Sequence, residues 1–271
     1  MSSNDDRTIH GQGRLKGIAD SATNIPTQPA ATASNPHEVA LPLAINDVVD
    51  ERYQITGVVG RGRFGAIYSA RHLISGADVA VKVLLARPQG NREEVNERFF
   101  REARVLAKLH HPNTVRVYDA GYTASGDLYF AMELLNGPNL EQVFTELGRH
   151  RRTLTEAQAI DIALPILGAL GEAHHLELVH RDLKPANIVL SRMAEEPFCV
   201  KVLDFGIVRT ADSDLTTRET ELGTPVYMSP EQCASAQIDG RSDLYAVATI
   251  LFEAVCGYTP YLPGNPIDVM F

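Results

Sequence analysis

Residues 179–190 read Val-His-Arg-Asp-Leu-Lys-Pro-Ala-Asn-Ile-Val-Leu, and residues 201–206 read Lys-Val-Leu-Asp-Phe-Gly. A lone Asp after an Arg is usually a solvated turn residue. Asp182, however, is followed by Lys184 and then by Asn187 on the same short loop. A carboxylate, an ammonium group and an amide held so close together are candidates for chemistry rather than for an ordinary turn.

Upstream, Val59 to Ile67 reads Val-Gly-Arg-Gly-Arg-Phe-Gly-Ala-Ile and contains Gly60, Gly62 and Gly65 in a G-x-G-x-x-G pattern. The residues on both sides have strand character, so the glycines open a strand rather than a helix. Such a hairpin can fold over a nucleotide, because glycine lets backbone amides approach phosphates. Glycines at this spacing also occur in ordinary turns, so the pattern is weak evidence by itself.

A lysine and a glutamate between these motifs are candidates for an ion pair with each other. Lys82 follows the strand-like Val79-Ala80-Val81, and Glu102 lies in a helix predicted over Arg92 to His110. Glu102 shares the apolar face of that helix with Phe99, Leu106 and Leu109. A lone Lys is more often an outward residue at a strand end, but a core-facing carboxylate needs a cation and a buried lysine needs a partner.

In this order, the glycine loop, Lys82, Glu102 and the two opening stretches resemble the motifs of the protein kinase family. Gly223 to Glu231 resembles the segment that closes the activation loop, with Ser229 where Ala is commoner. Ser242 to Tyr245 resembles the start of the following core helix. The resemblance covers Tyr53 to Phe271, and it identifies Asp204-Phe205-Gly206 as the metal-binding motif.

The resemblance implies an α+β, two-lobed fold, with a small antiparallel β-sheet lobe carrying one helix and a larger, mainly helical lobe. We expect a Ser/Thr/Pro-rich disordered tail over 1–47, the small lobe over 53–137 and the helical lobe over 138–271, apparently truncated at its C-terminus. Alternating apolar residues predict five strands: Tyr53 to Val59, Ala66 to Leu73, Val79 to Leu84, Thr114 to Tyr122 and Leu128 to Glu133.

In the helical part, a capping box at Thr155 precedes apolar residues at helical spacing. These residues are Ile160, Leu164, Leu167 and Leu170, with His174 after them. Pro165 lies inside the pattern, so we expect a kink or a local break there.

The resemblance also implies a role for each candidate catalytic residue. Lys82 would hold the α and β phosphates of ATP and be oriented by Glu102. Asp182 would accept the proton of the substrate hydroxyl, and Lys184 would neutralise the transferring phosphate. Mg²⁺, a hard cation that prefers oxygen ligands, would be bound by Asn187 and Asp204.

The residues of the nucleotide pocket follow from the resemblance only, since ordinary core packing would account for apolar residues at these positions nearly as well. Val59, Ile67, Ala80 and Leu190 would enclose the adenine, with Met132 at the back of the pocket. The backbone from Glu133 to Leu135 would supply hydrogen bonds. Gly60, Gly62 and Gly65 would cover the phosphates.

The pattern around Lys184, together with Thr224, resembles serine/threonine rather than tyrosine kinases, in the style of the eukaryotic-like kinases of bacteria. Arg181 would then pair with a phosphate on the activation loop. Thr216, Thr217 and Thr220 are the candidate acceptors, to be modified by a second copy in a homodimer; a merely solvated loop is the alternative.

Two other functions stay open at this stage. Kinases of small alcohols, such as aminoglycosides or choline, share a related catalytic Asp and metal-binding Asp but lack a peptide-docking segment like Gly223 to Glu231. A non-catalytic docking module, either a pseudokinase or an incomplete domain, is the second alternative. The arginine that usually pairs with the glutamate at Glu231 would lie beyond Phe271, although Lys82 and the other key residues are retained.

The composition argues against some classes of binding partner. The 271 residues carry 25 Lys and Arg against 34 Asp and Glu, a net charge of −9 that argues against a nucleic-acid-coating protein. The sequence has no apolar run long enough to span a membrane and no export signal, so we expect a cytoplasmic chain, with any membrane anchor further downstream. Cys199, Cys233 and Cys256 are too dispersed for a disulfide framework or a zinc site.

Overall fold

A computed structural model of the chain describes the following residues: 41–62, 65–84, 92–192, 198–205, 225–234 and 236–261. The first part forms an antiparallel sheet crossed by one helix, and the second part is mainly helical, as the sequence predicts. None of the helices in these ranges is long and apolar enough to cross a bilayer.

Six strands form the sheet in the order β1-β2-β3-β4-β6-β5, and each neighbouring pair is antiparallel. Their bounds are β1 Val48–Val49, β2 Tyr53–Gly62, β3 Gly65–His72, β4 Asp78–Leu84, β5 Val117–Tyr122 and β6 Leu128–Glu133. Buried and half-buried residues alternate along most of β3, the pattern expected of a strand with one face on the core. Left-handed turns at Gly76 and Gly126 connect the hairpins.

Five α-helices and a second, two-stranded sheet complete the described fold. The helices are α1 Arg92–Leu106, α2 Leu140–Arg149, α3 Glu156–His175, α4 Pro230–Cys233 and α5 Gly240–Cys256. The small sheet pairs β7 Ile188–Ser191 with β8 Cys199–Val202. Single 3₁₀ turns cover Pro185–Asn187 and Pro225–Tyr227. The predicted capping box is present, because Thr155 and Gln158 bond each other's backbone N–H at the start of α3.

Two predicted elements are shorter than the sequence indicated. Helix α1 ends at Leu106 rather than His110, and its last residues continue as tight turns to Leu109. The strand predicted to begin at Thr114 begins at Val117. Thr114 instead bridges Val202 of β8, so this stretch connects the two parts of the molecule before it joins the large sheet.

The apolar face of α3 differs from the predicted one. Leu170 is buried, but Ile160 and Leu164 are 55% and 63% exposed. The buried residues of α3 are Ala159, Ile162, Ala163, Ile166, Ala169, Leu170 and Ala173. Helix α3 is apolar around most of its circumference, so spacing alone does not choose a face, and the small alanines let α5 pack closely. The helix is continuous through Pro165, contrary to the expected local break.

The core consists of two apolar clusters on opposite faces of the large sheet. The larger cluster joins the sheet to the helices and includes Phe130 and Ile166. The smaller cluster lies on the outer face and includes Ile55 and Tyr68. Residues 41–47, which composition assigned to the tail, contact this outer face, where Leu41 and Leu43 pack and the backbone bonds to Ile55.

Candidate active site

The loop from His180 to Asn187 brings three of the predicted residues together between α3 and β7. Lys184 Nζ lies 2.9 Å from Asp182 Oδ2. Asn187, at the end of the 3₁₀ turn, donates from its amide nitrogen to the Asp182 carbonyl oxygen at 2.8 Å and to Oδ2 at 3.3 Å. Asn187 is buried, whereas the Asp182 side chain is 34% exposed. The carboxylate is therefore held in one orientation and still open to a substrate.

Asp243, at the start of α5, fixes the backbone of this loop. Its buried carboxylate accepts hydrogen bonds from the backbone N–H of His180 at 2.8 Å and of Arg181 at 3.0 Å. His174 Nε2 lies 2.7 Å from the same carboxylate. Arg181 has a positive φ of 65°, which is uncommon for a non-glycine residue and is maintained here by these contacts.

The His180 side chain connects the loop to the residues around Asp204. The ring is fully buried and donates from Nε2 to the Leu203 carbonyl oxygen at 2.7 Å, and its centroid lies 4.7 Å from that of Phe205. Burial lowers the pKa of His180 below its ordinary value, although the nearby carboxylates, foremost that of Asp243, oppose the shift. The ring is therefore neutral near pH 7 and serves as a fixed hydrogen-bond donor.

Lys82 contacts Asp204 in this structure. Its Nζ lies 2.6 Å from Asp204 Oδ1, while a Lys82–Glu102 ion pair is not among those found within the described ranges. Asp204 therefore makes the close carboxylate contact of Lys82 in the described part of the chain. Burial alone would raise the pKa of Asp204, but the Lys82 charge holds it below its ordinary value. The Lys82–Asp204 pair was not among the predicted contacts, and the orientation of Lys82 by Glu102 stays a prediction.

The glycine-rich loop is a strand-to-strand hairpin, as its sequence context predicts. Gly60 pairs with Ile67, and Gly62 at the end of β2 pairs with Gly65 at the start of β3. Gly65 has a φ of 151°, and a Cβ atom there would lie 1.9 Å from the Val83 carbonyl oxygen. Only glycine fits this close approach of β3 to β4. The tip residues Arg63 and Phe64 lie outside the described ranges.

The residues predicted to form the adenine pocket come from five strands and from the segment after β6. Ala80, Met132 and Leu190 are buried in the larger cluster, and Ile67 and Leu135 pack against it. Ala80 and Met132 are direct partners across β4 and β6. Val59 occupies an irregularity in the β2–β3 pairing. Met132 lines a small cavity together with Lys82, Asp204 and Phe205.

A buried ion pair secures the end of β6, where Glu133 was expected to present its backbone to the nucleotide. Lys201 Nζ of β8 lies 2.8 Å from Glu133 Oε2, and the two side chains are 8% and 22% exposed. A few residues later, Gly137 has a φ of 159°, and a Cβ atom there would lie 1.9 Å from the Leu190 carbonyl oxygen. The connection between the two parts of the molecule is therefore held by charge on one side and by close backbone packing on the other.

The segment after the activation loop is fastened to α5. Tyr227 donates to Glu253 Oε2 at 2.5 Å, and burial raises the pKa of both groups. The Ser242 hydroxyl donates a hydrogen bond to Glu231, and this hydrogen bond is the main cause of the lowered pKa of the Glu231 carboxyl. Residues 206–224, which hold Gly206 and the candidate threonines Thr216, Thr217, Thr220 and Thr224, lie outside the described ranges.

Asn187 and Asp204 are the predicted metal-binding residues. The Asn187 amide nitrogen is used by Asp182, so its carbonyl oxygen is the atom suited to a cation. Asp204 adds a carboxylate, and its positive φ of 50° sets it apart from the ordinary strand residues before it. One amide and one carboxylate oxygen fit Mg²⁺, which takes its remaining ligands from water and phosphate. Within the described residues no group of three or more His, Cys, Asp or Glu side chains forms a metal-binding cluster.

Sequence reasoning did not find the supporting contacts of Asp243, His180 and the Lys201–Glu133 pair. Asp243 and His180 stand inside quoted motifs, so a signal for their position existed but not for their partners. Lys201 also stands in the stretch 201–206, but its partner Glu133 lies on a distant strand and only the fold brings the two together.

A family model described as "Protein kinase domain" matches residues 53–268 of the chain. Among curated proteins, the chain is 38% identical over 222 residues to "Serine/threonine-protein kinase pkn3" of Myxococcus xanthus, covering 80% of this chain and 40% of that protein. It is 36% identical over 229 residues to "Serine/threonine-protein kinase PknB" of Mycobacterium tuberculosis, covering 82% of this chain and 35% of that protein. The chain thus spans about two-fifths or less of the length of these relatives.

The fold is similar to that of solved structures. The kinase domain of Mycobacterium tuberculosis PknI superimposes with a TM-score of 0.65 at 30% identity, covering 82% of this chain and 80% of that one. The comparison confirms the predicted two-lobed architecture.

Proposed function

Because this chain belongs to the protein kinase family, and its relatives are named as bacterial serine/threonine-protein kinases, we propose that it transfers the γ-phosphoryl group of ATP to Ser and Thr hydroxyls of proteins. The observation that carries the proposal is the cluster of Asp182, Lys184 and Asn187 on one loop fixed by Asp243. In phosphoryl transfer, positioning and charge neutralisation supply most of the catalysis.

The proposed roles follow from the position of each group. Asp182, exposed on one side and fixed on the other, accepts the proton of the attacking hydroxyl. Lys184, 2.9 Å away, neutralises charge on the transferring group. Lys82 would hold the α and β phosphates and be oriented by Glu102, while Asp204 would be available to a metal ion.

ATP and Mg²⁺ are the proposed cofactors. The adenine lies between the β2–β4 side and Leu190, with Met132 behind it and the backbone of Glu133 and Leu135 as hydrogen-bonding groups. Gly60, Gly62 and Gly65 let the hairpin approach the phosphates. Asn187 and Asp204 would hold Mg²⁺, which would supply neutralisation of phosphate charge.

Protein substrates are favoured over small alcohols because Pro225 to Gln232 connects the catalytic loop to α5. Gln232 Nε2 donates to the Arg181 carbonyl oxygen at 2.7 Å. A substrate-docking segment bonded to the loop that carries Asp182 suits a polypeptide substrate. We expect transfer to Ser and Thr of a generic protein and none to aminoglycosides or choline. Transfer to the small alcohols alone would contradict the proposal.

We also propose that the chain phosphorylates its own activation loop between two copies, with Arg181 receiving the phosphate. A mixture of wild-type chain and tagged Asp182→Asn chain tests this, because only transfer between copies labels the inactive one. If the wild-type chain is labelled but the Asp182→Asn chain is not, phosphate is transferred within a single copy. That result would contradict transfer between copies. We further propose that the small lobe spans residues 53–137 and that the helical lobe spans residues 138–271. We also propose that the chain is located in the cytoplasm.

A further inference from the structure

Glu172 on α3 binds a loop that begins in the other part of the molecule. Its carboxylate accepts from the backbone N–H of His110 at 3.0 Å and 3.1 Å, one distance to each oxygen, and from that of His111 at 2.9 Å. Two adjacent amides directed at one carboxylate form charge-assisted hydrogen bonds, which are stronger than neutral ones. The side chain is half-buried.

The loop also packs against α3 at Gly168, one helical turn before Glu172. A Cβ atom on Gly168 would lie 2.8 Å from Nε2 of the His111 ring, so glycine makes room for the imidazole. His111 Nδ1 in turn accepts from the backbone N–H of Asn113 at 3.2 Å. Gly168 and Glu172 therefore form the surface of α3 against which residues 110–113 pack.

The opposite side of the loop is bonded to β8. Asn113 donates from its side chain to the Val200 carbonyl oxygen at 2.8 Å. The Val202 N–H donates to the Asn113 carbonyl oxygen at 2.7 Å, and the Val115 N–H donates to Val202 at 3.0 Å. The loop is thus held between α3 and β8, and α3 contributes the only charged group described in these contacts.

The chain connects this loop to catalytic groups at both ends. On the α1 side, tight turns run from Leu106 through the buried Leu109 to His110, and α1 carries Glu102. On the α3 side, the chain passes from Glu172 through His174, which contacts Asp243, to the loop that carries Asp182. Glu172 therefore lies between the helix of Glu102 and the loop of Asp182.

We propose that Glu172 is a positioning residue for phosphoryl transfer, which fixes the C-terminal end of α1, and with it Glu102, relative to Asp182. The inference rests on the proposed function for its catalytic consequence, since it assigns Glu102 and Asp182 their kinase roles. Its structural part, the coupling of α1 to α3 through two backbone amides, stands on the contacts alone.

Glu172→Gln tests the proposal, because glutamine keeps the shape but loses the charge and one of the two acceptor oxygens. Glu177→Gln, on the exposed turn after α3, is the matched control for loss of one negative charge. Transfer kinetics and amide hydrogen exchange are measured on both variants and on the wild type. We expect Glu172→Gln to lower kcat at least about tenfold, with KM for the protein substrate unchanged, since small misplacements of catalytic groups are costly.

Exchange should rise in α1 and at residues 110–111 and stay unchanged in α5, whereas general destabilisation would raise it in α5 as well. Unchanged exchange in α1, or a kcat equal to that of Glu177→Gln, would overturn the proposal. If the wild type transfers no phosphate, the proposed function fails separately, and the exchange in α1 still decides whether Glu172 positions that helix. Glu172→Ala, which removes both acceptors, should show the larger effect in each measurement.

Discussion

At the scale of single residues, buried charges decide how the site is held together. Asp243 stabilises the catalytic loop because it replaces the water that the N–H groups of His180 and Arg181 would otherwise bind. Lys201 and Glu133 are a second case, since both are largely removed from solvent and each satisfies the other. Removing one member of such a pair leaves a charge that burial penalises.

We predict that Lys201→Met lowers the free energy of unfolding by about 2 kcal/mol, less than for a fully buried pair because water still reaches Glu133. The double variant Lys201→Met/Glu133→Leu should recover part of this loss, since no unpaired charge remains. Urea denaturation of the wild type, both single variants and the double variant gives the coupling energy. A coupling energy of zero would show that the pair does not stabilise the fold.

We predict an acid-sensitive stability caused by His180. Its folded-state pKa lies below the ordinary value of 6.5, so the unfolded chain takes up a proton first as the pH falls. The stabilisation is complete above pH 6.5 and decreases below it, by at most about 1.4 kcal/mol per pH unit. Thermal unfolding from pH 7.5 to pH 5 should show this decrease, and His180→Gln should flatten it. An equally steep curve for the variant would assign the effect to other groups.

The order of catalytic residues was predictable because the motifs are local. Asp182, Lys184 and Asn187 share one loop, so their proximity follows from spacing alone. The contact of Lys82 with Asp204 was not predictable, because the two residues lie far apart in the sequence and only the fold sets their distance. Glu172 was missed for the same reason: its partners are backbone amides 62 and 61 positions away, which leave no mark on side-chain patterns.

At the scale of elements, the strands and the site-bearing loops agree with the sequence better than the helix faces do. Alternation fixes which side of β3 is buried, since the period of two leaves one choice. Helix α3 carries apolar residues on several sides, so Ile160 and Leu164 fit the spacing rule but lie exposed. Packing against α5 settles the face, and that information is not local.

Gly137 tests whether close backbone packing holds the connection between β6 and α2. We predict that Gly137→Ala lowers the free energy of unfolding by more than about 2 kcal/mol, since its Cβ would overlap the Leu190 carbonyl oxygen. Gly76→Ala is the control, because Gly76 also has a positive φ but open space around it, and about 1 kcal/mol is expected there. Equal losses in chemical denaturation would mean that backbone strain alone matters at Gly137.

At the scale of the whole molecule, the family match begins at residue 53, but the described fold begins earlier. The Asn46 N–H donates to the Ile55 carbonyl oxygen at 2.9 Å, and the Ile55 N–H donates to that of Asp47 at 2.8 Å. The Leu43 N–H donates to the Tyr68 hydroxyl at 3.3 Å. This segment covers the outer apolar cluster behind the glycine-rich hairpin.

We compare the full chain with chains starting at Leu41 and at Val48, and we predict that the second truncation unfolds at a lower temperature than the first. The second truncation removes the partners of Ile55 and exposes the outer cluster, a loss of about 2 kcal/mol from hydrogen bonds and apolar burial. Differential scanning calorimetry compares the three chains. Identical unfolding temperatures for both truncations would show that residues 41–47 add nothing to the fold.

The central claim is that this chain transfers phosphate from ATP through Asp182, and intact-mass spectrometry tests it most directly. The wild-type chain and an Asp182→Asn variant are incubated with Mg²⁺ and ATP, and their masses are compared. We predict added phosphoryl groups on the wild type and at least about a hundredfold slower addition on the variant, the range expected when a general base is lost. Equal addition on both chains, or none on a wild type that still binds the nucleotide, would contradict the claim.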